Sequence, residues 1–175
     1  MLVIDALINN NDRNPNNWGL IKDLNTEKFM VAPIFDNGAS FVSKHSDEKL
    51  KRIMDDPNRF KESVINGISH FTVNHRMVNF KNFFKQLENT EIKDELHRAF
   101  NRVVPKIEKH WKDITDFINN IPNVDNGLKI ISDVQKEYFI NSMKIRFDEV
   151  IKPLSLENDK DEPEVEEDEK EFEIE

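Results

Sequence analysis

Asp12 and Asn17 stand five residues apart in the polar stretch Asn9–Asn17, and Asp36 opens the turn Asp36-Asn37-Gly38. An aspartate, an asparagine five residues on and a later aspartate make up a set suited to phosphoryl transfer. The transferred group is highly charged, so its chemistry is mostly positioning and charge neutralisation. One carboxylate accepts the proton of the attacking hydroxyl. An amide oxygen and a second carboxylate are the hard donors that Mg²⁺ prefers.

The elements around these residues must bring them together. Residues 1–10, with Leu2, Val3, Ala6, Leu7 and Ile8 apolar, read as a short buried helix end. The Asn-rich stretch that follows is broken by Pro15 and reads as a loop. Trp18–Ile21 and Phe29–Ala32 read as two strands joined by a turn at Asp23–Thr26. Such a hairpin returns the chain so that Asn17 and Asp36 lie side by side.

From about residue 47 the pattern becomes helical. Helices are expected over 47–54, over 59–68 with Gly67 at its end, and through Val78, Phe80, Phe83, Phe84 and Leu87. Another is expected over 91–104, and Pro105 can open the next, which carries Ile107, Trp111, Ile114, Phe117 and Ile118. Asn123–Gly127 reads as a loop. A long last helix from Leu128 to about Ile151 carries more than one apolar stripe, which makes it central, and Pro153 closes it.

The segment Asn10-Asn11-Asp12-Arg13-Asn14-Pro15-Asn16-Asn17, followed by Ala32-Pro33-Ile34-Phe35-Asp36, resembles the C-terminal lobe of HipA-like serine/threonine kinases. These are toxin-type bacterial kinases with a protein-kinase-like fold. Their pattern is Asn-x-Asp-Arg-His-x-x-Asn, an apolar strand, and Ala-Pro-x-Tyr-Asp; a related pattern occurs in lipid-kinase-like enzymes. The resemblance implies a mainly α lobe with one short β-hairpin after the catalytic loop. It implies Asp12 as catalytic base, Asn17 and Asp36 as Mg²⁺ ligands, and ATP as phosphoryl donor to a protein hydroxyl. The specific motif covers residues 5–41, and residues 42–154 match as a helical remainder. The family's histidine is Asn14 here, which can hydrogen-bond but carries no proton.

Rival readings use the same residues. Each turn alone would be an ordinary polar turn. In order, with a helix before, a hairpin between and Ala32-Pro33 ahead of the second aspartate, they form a set. Asp12, Asn14, Asn16 and Asp23 also occupy positions 1, 3, 5 and 12 of a calcium loop. Position 6 is then Asn17 instead of glycine, and a strand follows where that motif requires a helix. The five histidines show no His-Glu-x-x-His and no i,i+4 pairing, so no metal is assigned to them.

Composition bounds the rest. The chain has 175 residues, 34% of them charged, and a net charge of −9. Ser155–Glu175 holds twelve acids and two lysines, which leaves about +1 on residues 1–154. The last 21 residues therefore read as a disordered acidic tail, with docking to basic groups of a partner or of the body as the sharper alternative. There is no general basic face for nucleic acid, no apolar run of bilayer length and no signal peptide, so a cytoplasmic protein is expected. The absence of cysteine excludes disulfides, thiolate zinc sites and cysteine nucleophiles. Only four glycines are present, and no phosphate-covering Gly-rich loop or strand lysine precedes Asp12.

The expectation is a lobe that lacks its N-lobe, is inactive alone and self-associates through the uncovered face. Its partner would be an N-lobe polypeptide or an antitoxin-like protein, besides the protein substrate. The alternative is a non-catalytic relic or binding module that uses the helical scaffold and the acidic tail.

Overall fold

The computed structural model describes residues 1–155 apart from Ile34, Ser43 and Asn74. The acidic tail, except Ser155, lies outside the described residues. No helix among the described residues is long and apolar enough to cross a membrane.

The chain opens on α1 (Leu2–Ile8), which buries Val3, Ala6 and Leu7 on one face. A hairpin of β1 (Leu20–Lys22) and β2 (Phe29–Val31) follows, with Leu20 opposite Val31 and Lys22 opposite Phe29. Next come α2 (Asp47–Met54) and α3 (Pro57–Ile65). The expected start of α3 at residue 59 moves back to Pro57, because Asp56 accepts from the amides of Asn58 and Arg59 and proline fits the first helical position.

Residues 42–154 are not helical throughout. Ile68 leaves the expected helix and begins β3 (Ile68–Val73), which pairs with β4 (Arg76–Asn79). The β-branched and aromatic residues Ile68, Phe71, Thr72 and Val73 favour a pleated strand. Ser69 donates to the Val78 carbonyl at 2.5 Å, in a stretch where the strand register shifts. Val78 thus belongs to a strand, and Asn79 caps α4 (Phe80–Leu87) by accepting from the Asn82 amide at 2.8 Å.

α5 (Lys93–Lys109) runs straight through Pro105, which was expected to open a new helix. Proline removes one hydrogen bond, to the residue 101 carbonyl, but five buried side chains hold the helix on both sides of it. The break falls at His110, whose non-helical backbone separates α5 from α6 (Trp111–Asn120). The expected loop at 123–127 contains a short hairpin, β5 (Val124–Asp125) with β6 (Leu128–Lys129). Asn126 and Gly127 both have positive φ at its turn, as a type I′ turn requires.

The last helix, α7 (Asp133–Arg146), starts later than Leu128. Ser132 and Gln135 close a reciprocal capping box there, and Ser132 also donates to Asp47 at the start of α2. A π-helical turn over Phe147–Ile151 and a 3-10 turn over Lys152–Leu154 carry the chain to Pro153 and beyond.

The expected central position of this helix holds. Met143 and the following turn join Phe84, Phe100 and Val104 in the larger apolar cluster, where Phe84 and Phe100 meet edge to face at 5.1 Å. Tyr138 joins Leu50, Phe60 and Val64 in the smaller one.

Candidate active site

α1 ends at Asn9, whose left-handed backbone (φ 51°, ψ 50°) turns the chain away from the helix. Asn10 is fully buried beneath the turn, and its Oδ1 accepts from the Asp12 amide at 3.1 Å. That contact holds the loop while Asp12 itself stays exposed.

Arg13 points the opposite way. Its guanidinium is buried and meets the fully buried Asp5 through Nε and Nη2, with a closest approach of 2.9 Å. Nη1 donates to the carbonyls of Asn17 at 2.7 Å and Phe35 at 2.6 Å. Nη2 also reaches Asn37 Oδ1 at 2.7 Å. One planar cation thus ties the end of α1, the far end of the loop and the turn at residues 35–37 together. Bidentate geometry suits arginine and not lysine for this. Asn10 Nδ2 adds longer contacts to Asp5, Asn37 and the Asp36 carbonyl.

Asn14 accepts from the Asn16 amide at 2.9 Å and so caps the short 3-10 turn Pro15–Asn17. It also donates to the Asp12 carbonyl at 3.4 Å. Asn17 is buried, and its Nδ2 donates to the same carbonyl at 2.7 Å. The nitrogen end of that amide is therefore occupied by the loop, and the oxygen end is turned away from it. Past Asn17 the hairpin returns the chain, with the Ala32 amide donating to the Gly19 carbonyl at 2.9 Å. Asp36 is exposed and adopts φ 54°, a left-handed conformation that aspartate tolerates better than most residues.

The three sequence-derived residues are thus gathered by one clamp. The loop and the turn converge on Arg13, with Asp12 and Asp36 presented to solvent and Asn17 held between. No group of three His, Cys, Asp or Glu suited to a metal occurs among the described residues. One amide oxygen and one carboxylate fit Mg²⁺, which completes its shell with water and phosphate oxygens. The calcium-loop reading fares worse. The Asp23 carboxylate accepts from the Thr26 hydroxyl and from the amides of Asn25 and Thr26 within its own turn. The Thr26 hydroxyl, then the Asn25 amide, hold its carboxyl below the usual range.

Asp5, Arg13 and Asn37 were not singled out from the sequence, although they build the site. The available signal was an acid inside the otherwise apolar Leu2–Ile8 and an arginine directly after Asp12. A buried acid on a helix calls for a partner cation.

An exposed apolar surface lies next to the loop. Trp18, Leu20, Ile21, Phe29, Met30 and Val31 of the hairpin are all at least 46% exposed, on both faces. Larger exposed apolar patches of this kind mark interaction sites.

No protein-family model matches the chain. The chain is 24% identical over 153 residues to the serine/threonine-protein kinase CtkA of Helicobacter pylori, a match covering 86% of this chain and 43% of that protein. It also matches the crystal structure of a Helicobacter pylori proinflammatory kinase CtkA, with a TM-score of 0.70 and 25% identity. That match covers 88% of this chain and 52% of the other. The chain therefore spans about half the length of the relatives it matches. The similarity supports a kinase-like function at a coarse level, and the fold is that of a helical kinase-like lobe.

Proposed function

We propose that this chain is the catalytic lobe of an ATP- and Mg²⁺-dependent serine/threonine protein kinase of the HipA-like type. The observation that carries this reading is the Arg13 clamp. It fixes the backbone of Asn17 and Phe35 on one guanidinium, so the loop bearing Asp12 and the turn bearing Asp36 share one mount. The similarity to CtkA supports the same reading.

In the proposed reaction the substrate's hydroxyl oxygen forms a bond to the γ-phosphorus of ATP. The bond from that phosphorus to the β–γ bridging oxygen breaks, and ADP leaves. Asp12 takes the hydroxyl proton on its carboxylate. Asn17 Oδ1 and the Asp36 carboxylate would hold Mg²⁺, which supplies charge neutralisation at the phosphates. Arg13 acts as a positioning residue, since its donors are occupied within the protein. Asn14 supports the Asp12 carbonyl from the place where the family carries histidine.

In the protein-kinase fold ATP is enclosed between two lobes. We read the second lobe as supplied by residues outside these 175, in a longer protein or as a separate polypeptide, seated on the apolar hairpin. The adjoining coding sequence is the first place to look for a Gly-rich loop and a strand lysine.

Purified chain alone is expected to transfer negligible phosphate. Joined to the second lobe, it is expected to phosphorylate serine or threonine, and Asp12→Ala should lower turnover by about 10²–10⁴ without lowering the melting temperature. Robust transfer by the chain alone, abolished by Asp12→Ala, would remove the need for a second lobe. A folded, two-lobe protein with no transfer would favour the non-catalytic binding module. Mg²⁺ binding by calorimetry should be weak without nucleotide. Tight binding with Ca²⁺ preferred would revive the calcium loop.

A further inference from the structure

Lys136 sits where lysine is rarely found. It shares one face of α7 with Ile140 and Met143, at i, i+4 and i+7, and is only 8% exposed. Lysine is almost never buried unless it is paired. Among the described residues no carboxylate forms an ion pair with it. Its ammonium donates to the Asn119 carbonyl at 3.0 Å. That carbonyl belongs to the last turn of α6, where helix carbonyls lack partners and the dipole favours a cation. The contact uses one of the three donors of the ammonium. Holding the other two away from water without acceptors is costly.

Lys136 also lines a cleft of about 320 Å³ between the end of α6 and α7. That volume lies near the lower end of the range for small-molecule sites. Ile140 supplies an apolar wall. Of the two carboxylates on the cleft, Asp133 already accepts from Asn123 at 2.8 Å. Glu137 and Asn141, one helical turn apart, have no side-chain hydrogen bond or ion pair among the described residues. The cleft thus joins a buried cation to an exposed anion, with an amide and an apolar side chain beside them.

We propose that this cleft binds a free α-amino acid with an apolar side chain. The ligand's carboxylate accepts from the two unused donors of Lys136, and its ammonium meets the Glu137 carboxylate. Asn141 hydrogen-bonds beside them, and the ligand's side chain lies on Ile140. A simple anion would face Glu137 and Asp133 with no compensating charge of its own, and a simple cation would face Lys136. A zwitterion satisfies both signs.

Three probes of similar shape test this: L-leucine, isocaproate, which lacks the amine, and isoamylamine, which lacks the carboxylate. Titrated into isotope-labelled chain, L-leucine should shift the amides of residues 119–120 and 133–141 and saturate with a Kd of about 1 mM or below. Isocaproate and isoamylamine each lose a charge-assisted contact and should bind about tenfold more weakly. Lys136→Met should abolish the L-leucine shifts. That variant also uncaps α6, so Glu137→Gln provides a second measurement on an exposed residue. It should leave the melting temperature unchanged and weaken L-leucine binding about threefold.

Isocaproate binding as tightly as L-leucine would make this a carboxylate site and overturn the proposal. Unchanged L-leucine binding in folded Glu137→Gln would overturn it as well. So would the lack of any saturable shift with L-leucine, which would leave water as the partner of the spare Lys136 donors.

Discussion

Two adjoining regions treat their side chains in opposite ways. Under the loop, the charged and polar groups of Asp5, Asn10 and Arg13 are buried, and each has partners within the chain. On the hairpin beside it, Leu20, Phe29 and Val31 are more than 60% exposed. Burying polar groups is costly unless they are fully bonded, and exposing apolar groups forgoes about 25 cal/mol per Å². The loop is thus preorganised by this chain alone. The hairpin has gained almost nothing from folding here, which is what a surface covered by something else would look like. Preorganisation and apolar exposure meet at Asn17 and Trp18, adjacent in sequence.

The contrast can be broken from the buried side first. Asp5→Ala leaves the Arg13 charge buried without its carboxylate, and about 3–5 kcal/mol of stability should be lost in urea unfolding. A loss under about 1 kcal/mol would mean that water reaches the clamp and the loop is not preorganised.

A second buried arginine sharpens the point. Arg146 donates to the Leu7 carbonyl at 3.5 Å and faces Tyr138, with Nε unpartnered. Burial lowers its pKa to about 10, only partly offset by Tyr138. Below that pH both folded and unfolded chains are charged, and the folded state bears the desolvation cost. From about 10 up to the ordinary arginine value, the unfolded chain holds a proton that the folded one has released. Stability relative to Arg146→Met should therefore rise with pH through this window, by about 3 kcal/mol at most. A difference that stays flat or falls across pH 10 would contradict this, with chemical denaturation of both proteins as the measurement.

Gly67→Ala tests the mount from another element. Its new Cβ would lie 2.6 Å from Asn9 Oδ1, a buried side chain that must give way. About 1–3 kcal/mol should be lost, and Asn9→Gly in the same chain should restore much of it. Glycine suits the left-handed backbone at residue 9 equally well.

The smallest effect belongs to the exposed side. Val31→Lys should change stability by no more than about 0.5 kcal/mol, yet reduce self-association in sedimentation and weaken assembly with a second lobe. Clear destabilisation would mean that the hairpin face already packs on something within the chain.

Much of this arrangement could be read from the residues in order. The helix before the loop, the β1–β2 hairpin, α2 and the central place of α7 follow from local periodicity and turn residues. Asp12, Asn17 and Asp36 were legible because a motif of fixed spacing crosses a hairpin. The Asp5–Arg13 pair was not, because it is eight residues apart and depends on how the loop folds back. The β3–β4 hairpin was hidden because Val78 also fits the helical spacing of Phe80, Phe83 and Phe84. Pro105 misled because its preference for a first turn competes with packing, and here the apolar face of α5 prevailed. The family was suggested by the motif, while the comparisons support a kinase relative without fixing the subfamily.

The positive φ at Asp36 narrows the alphabet open to that position. The backbone alone would favour glycine, and the metal role proposed above would by itself accept either acid. Glutamate keeps the charge but places its carboxylate one methylene further out, on a residue less at ease in a left-handed turn. Asparagine suits the turn and loses the charge. Aspartate is the side chain that meets both demands, so the handedness of one peptide unit helps to choose the acid.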